Sequence, residues 1–103
     1  MSKARFEITA IIYDKRGRVL SIGKNSYVKT HPLQHLHSHK VGLPHKQFLH
    51  AEIHAITKCK NLDKAHKIVV MRFDKRGKPR LAKPCPVCQS AIHSAGIPVV
   101  EHT

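Results

Sequence analysis

His50-Ala51-Glu52-Ile53-His54-Ala55-Ile56-Thr57-Lys58-Cys59 carries a helical pattern around which the other elements arrange themselves. Leu49, Ile53 and Ile56, flanked by Ala55 and Cys59, fall at spacings of three and four, the pattern of a helix with one broad apolar face. The spacing predicts a helix from His50 to Asn61. Upstream, Phe6, Ile8, Ala10 and Ile12 alternate within Arg5 to Tyr13, which predicts a strand. Asp14-Lys15-Arg16-Gly17 supplies turn chemistry, and Val19 to Gly23 reads as the return strand of a hairpin. Downstream, Ile68-Val69-Val70-Met71 within Lys67 to Phe73 is a short continuous apolar run, as in a strand covered on both faces. Asp74 to Pro79 is a second basic turn whose first four residues repeat the first. Turn preference is explanation enough for that match.

A second helix is predicted to start near Cys85. Pro86 falls in its first turn, where a missing N–H costs nothing, and Gly96 closes it as a left-handed cap. Ile97 to Val100 follows as a last strand. Asn25 to Leu49 has no clean period, holds Pro32, Gly42 and Pro44, and reads as a long functional loop. The order is β-β-α-β-α-β, an α/β layered fold with a mixed sheet of about four strands covered by helices. Its last three strands are expected to run parallel, joined by right-handed crossovers.

The chain has 103 residues, enough for one domain, 1–103, with one modest core. Lys and Arg number 19 against 6 Asp and Glu, a formal charge of +13 that draws anions such as nucleotides or nucleic acid. A solvated basic surface would give the same count. Three cysteines, two of them in Cys85-Pro86-Val87-Cys88, do not make an extracellular disulfide framework. They suggest a reduced compartment and a metal or redox role. Neither a secretory leader nor a membrane span is visible, so a cytoplasmic location is expected.

Cys85 and Cys88 are three apart, so on the first turn of a helix both sulfurs face one side. The positive helix end favours thiolates, the form that binds metal. In a parallel β-α-β-α layout both helices begin at the same edge of the sheet. His50 therefore arrives beside the two sulfurs. Three ligands of N, S, S type leave one position open, as in catalytic rather than structural zinc. Glu52 lies close enough to move protons without binding the ion. Taken alone, Cys-x-x-Cys would equally suit a redox pair or half of a structural zinc site.

H-x-E followed by P-C-x-x-C is the signature of zinc nucleobase deaminases, and the chain resembles the cytidine and deoxycytidylate deaminase superfamily. PCPVCQSAIHSAGIPVV is most similar to the deoxycytidylate branch. The resemblance implies a zinc-dependent hydrolysis of cytosine to uracil, with His50, Cys85 and Cys88 on zinc and Glu52 as proton carrier. It also implies that Asn25 contacts sugar and base and that Ala51 lends its backbone N–H to the pyrimidine carbonyl. Asn25 would otherwise merely shape the turn after the second strand. Lys24, Lys29 and His31, from charge and position, are candidate phosphate contacts.

A free pyrimidine nucleotide such as dCMP is the expected substrate. The alternative is a base within single-stranded DNA, RNA or tRNA, favoured by charge and opposed by the few aromatics available for stacking. A zinc-stabilised binding module without activity is a third reading. His54 reads as an exposed helix histidine and Cys59 as a buried small apolar residue. His31, His35, His37, His39 and His45 read as a basic loop that neutralises phosphate, with a second metal site as the alternative. Exposed sheet edges make a homo-oligomer plausible.

Overall fold

A computed structural model describes residues 7–25 and 50–103. Its elements are strand β1 (Glu7–Tyr13), β2 (Val19–Lys24), helix α1 (Ala51–Lys58), a 3-10 turn (Leu62–Lys64), β3 (Lys67–Phe73), β4 (Pro79–Arg80), α2 (Pro86–Ala95) and β5 (Val99–His102). The alternation read in β1 places Ala10 and Ile12 on one face, both fully buried. Gly23 and Val70 flank Ala10 across the sheet, and Ser21 and Ile68 flank Ile12. All four flanking residues are buried too, so the core side of the sheet is a compact patch of small and branched residues. Of the run expected to be covered on both faces, Ile68 and Val70 are buried while Val69 and Met71 are half-buried.

The sheet is mixed, in the order β2-β1-β3-β4, with β5 also paired to β3. β1 runs antiparallel to both β2 and β3, and only β3 and β5 pair in parallel. The expected run of adjacent parallel strands is therefore corrected. β2, β3 and β5 do point one way, but β1 lies between β2 and β3, because its backbone pairs with both. The second basic turn also ends in a short strand, β4, which pairs Arg72 with Arg80 and Phe73 with Pro79. The helical segment is shorter than the apolar spacing predicts. It stops at Lys58, where Cys59 leaves helical geometry, and Asn61 already precedes the 3-10 turn.

α1 packs on the buried face of the sheet with Ala51, Ile53, Ala55 and Ile56 inward. Its approach is close because Gly23 has no side chain; a Cβ there would collide with the Ala55 backbone, whose Cα would lie 2.8 Å away. Ser21 reinforces the contact by donating its hydroxyl to the Ala55 carbonyl at 2.7 Å. α2 contributes Val87, Cys88, Ala91 and Ile92 to the same core. Gly96, in the left-handed region at φ 74, ends α2 as expected, and the Ile97 N–H returns to the Ile92 carbonyl.

The two Asp-Lys-Arg-Gly turns share one construction. Asp14 Oδ1 accepts the Arg16 and Arg18 amides, and Asp74 Oδ1 accepts those of Arg76 and Lys78. In each turn the other carboxylate oxygen pairs with an arginine, Arg18 or Arg80. These bonds hold both aspartates below the usual carboxylate range, the backbone amides of Arg18 and of Lys78 contributing most.

Candidate metal centre

His50 and Cys85 occupy equivalent places, each being the N-cap of its helix with extended backbone and no side-chain cap bond. An N-cap side chain ordinarily turns back to satisfy its own helix; these two are spent on each other. His50 Nδ1 lies 3.2 Å from Cys88 Sγ and 3.5 Å from Cys85 Sγ. The ligating atoms of His50, Cys85 and Cys88 all lie within 4.8 Å of one another, forming a candidate metal-binding group among the described residues. A tetrahedral zinc with bonds of about 2.3 Å to sulfur and about 2.1 Å to nitrogen sets N and S about 3.5 Å apart. The donor set and its spacing fit that ion.

The segment before Cys85 is held from two sides. The Ala82 amide donates to the Thr103 carbonyl at 2.9 Å, and Gln89 Nε2 donates to the Pro84 carbonyl at 2.8 Å. Neither anchor was visible in the sequence: the first depends on where β5 ends, and the second is a side-chain bond across five residues. Pro86 then starts α2 with its fixed φ, leaving the Cys85 carbonyl to accept the first helical bond from Gln89.

The electrostatics of the cluster favour a cation. The Cys85 thiol is held down at about 3, chiefly by a hydrogen bond from Cys88, with His50 adding to it against the cost of burial. Cys88 is pushed up, since it donates that hydrogen bond and is buried close to Glu52. A dication would replace the remaining proton and satisfy both sulfurs.

Glu52 is 6% exposed, a buried carboxylate close to His50, Cys85 and Cys88. Burial pushes its pKa up, opposed by its own backbone N–H, by His50 and by the nearby Cys88. Ala51, which precedes it at the helix start, is fully buried. Asn25 stands at the end of the hairpin, beside β1. Its Oδ1 accepts the Ile8 amide at 3.1 Å and its own amide donates to the Ile8 carbonyl at 3.2 Å, so it extends the β1–β2 ladder. Lys24 is exposed at the end of β2. Lys29 and His31, and the whole histidine-rich stretch, lie outside the described residues. His54 is half-buried rather than exposed, and it is hydrogen-bonded to the backbone of Lys24. Cys59 is buried, as expected.

Two helix starts presenting N, S and S around one point, with a buried carboxylate beside them, match a zinc centre with an open position. A family model described as the cytidine and deoxycytidylate deaminase zinc-binding region covers residues 1–102. The chain belongs to that family. It is accordingly a zinc-dependent hydrolytic deaminase with the cytidine-deaminase-like fold. Among curated proteins, no match reaches significance. Members of the deaminase family act on nucleotides or on nucleic acids. Among the described residues of this member, no helix is long and apolar enough to cross a membrane.

Proposed function

We propose that the protein converts a cytosine-type base to uracil, acting on a free pyrimidine nucleotide such as dCMP. The observation that carries this reading is the convergence of His50, Cys85 and Cys88 beside the buried Glu52. Those three residues would hold the zinc, which supplies Lewis acidity toward water. Glu52 accepts a proton from that water as it adds to C4 and delivers it to N3. A second proton transfer through Glu52 reaches the exocyclic nitrogen, which departs as ammonia. Water and cytosine become uracil and ammonia, and Glu52 ends as it began. A carboxyl whose pKa burial has raised suits both halves of that work. The Ala51 backbone N–H at the start of α1 serves the pyrimidine carbonyl. Asn25 would contact the sugar and base, and Lys24, Lys29 and His31 the phosphate.

The second reading, a base within a polynucleotide, draws support from one feature. Lys75, Arg76, Lys78 and Lys83 are exposed along the chain leading to Cys85, a density of cations that suits a phosphate backbone. The two readings separate in one experiment: ammonia release from dCMP, CMP, deoxycytidine and single-stranded oligonucleotides, at several salt concentrations, with zinc analysis alongside. Turnover of dCMP without oligonucleotide editing supports the first reading. Salt-sensitive editing without monomer turnover replaces it with the second. Self-association is also proposed, since β2 and β5 are open edges of the described sheet; a single monomer species in sedimentation would count against it.

A further inference from the structure

We infer that His54 is a positioning residue: it clamps the Lys24–Asn25 end of β2 to the helix that presents His50, and so sets where the substrate meets the metal centre. The inference rests on the proposed function only in naming what is positioned. β2 is an edge strand of the described sheet. The Asn25 amide bonds to the Ile8 carbonyl, and antiparallel pairs alternate in the direction of their polar groups. The N–H and C=O of Lys24 therefore point away from β1, toward no strand. His54 meets them there. Its Nδ1 lies 3.0 Å from the Lys24 nitrogen and 3.1 Å from the Lys24 oxygen. With the proton on Nε2, Nδ1 accepts the Lys24 N–H; with the proton on Nδ1, it donates to the Lys24 carbonyl.

The clamp sits between two parts of the site. On one side, the His54 amide donates to the His50 carbonyl at 2.9 Å, one helical turn from the ligand. On the other, Lys24 adjoins Asn25, whose Oδ1 is fixed to the Ile8 amide. Ser21 and Gly23 already press β2 against Ala55, so the body of the strand stays docked without His54. At its end, the Asn25–Ile8 bonds hold the strand to β1, and the imidazole ties the Lys24 backbone to α1. Lys24 is exposed, and water can solvate its backbone when the bond is lost. The effect of removing His54 therefore falls on substrate placement more than on folding.

The test compares His54→Ala and His54→Asn with the wild type, reading zinc content, hydrogen exchange of the Lys24 amide, and KM and kcat on the pyrimidine nucleotide that the wild type turns over best. An asparagine Oδ1 can stand where Nδ1 stood. In His54→Ala, zinc stays stoichiometric, the Lys24 amide exchanges at least roughly tenfold faster, and KM rises about tenfold while kcat stays within about threefold. His54→Asn returns both exchange and KM toward the wild type. Unchanged exchange in His54→Ala overturns the clamp. Faster exchange with unchanged KM overturns the positioning role, as does a loss of zinc, or no rescue by asparagine. A wild type that turns over no nucleotide sinks the proposed function and the positioning role with it, whereas the exchange experiment still decides the clamp by itself.

Discussion

His50 Nδ1 and Cys88 Sγ stand 3.2 Å apart although 38 residues separate them in the chain. No backbone element joins the two directly; α1 and α2 bring them together by starting at the same end of the sheet. Replacing either ligand should therefore abolish tight metal binding rather than weaken it slightly. Cys88→Ala and His50→Ala are each expected to purify with less than about a tenth of the wild-type zinc, since one of only three protein ligands is gone. Metal analysis after dialysis reads this directly, and retention of stoichiometric zinc by either variant would remove that residue from the site.

Glu52→Gln should keep both the fold and the zinc, because a buried amide replaces a buried carboxyl of nearly equal shape. Its kcat should drop by about 10²–10⁴-fold, the range for a lost general acid–base group. Ammonia release measured beside zinc content checks both halves. Full activity in this variant would mean that some other group moves the protons.

How far the site was legible follows from the kind of signal each residue carries. The gathering of His50, Cys85 and Cys88 near Glu52 could be read because their spacing is short and chemical: Cys85 and Cys88 share a turn, and His50 and Glu52 start a helix. Gly96 was legible for the same local reason, as only glycine enters the left-handed region freely. The place of β1 was not, because strand neighbours are chosen by pairing across the chain and an alternating pattern says nothing about which partner is adjacent. His54 escaped for a related reason. Its partner is a backbone amide 30 residues away, and a backbone amide has no letter of its own.

Gly23→Ala is expected to destabilise the protein by about 1–3 kcal/mol, the range for overpacking a tight interior contact. The added methyl has nowhere to go, because the obstructing atoms are α1 backbone at Ala55 and Ala51. Chemical denaturation of the two proteins measures the difference. A midpoint equal to the wild type would mean that α1 can shift away from β2 freely.

Asp74 offers a pH-dependent counterpart. Its pKa is lowered from 3.8 by the Lys78 amide first, with the Arg76 amide and the Arg80 side chain assisting. A carboxylate with a depressed folded pKa lends stability that is fully present above its unfolded value and is lost as pH falls through the folded one. Asp74→Ala should thus melt a few degrees below the wild type at neutral pH, with the gap closing once pH drops below about 3.8. Thermal melts across that range test it; a gap that stays constant into strong acid would rule out the carboxylate charge as its source.

The absence of side-chain caps on α1 and α2 reaches beyond the reaction. The side chains that would ordinarily close these helices face one another instead, so a metal held between them would share its ligands with the architecture. Starved of zinc, a cell would not stockpile a dormant but intact form of this protein. It would hold fewer surviving copies, because chains with two open helix starts spend more time in states that proteases can cut. Mineral supply would then set the abundance of the enzyme before it set the activity of any one molecule.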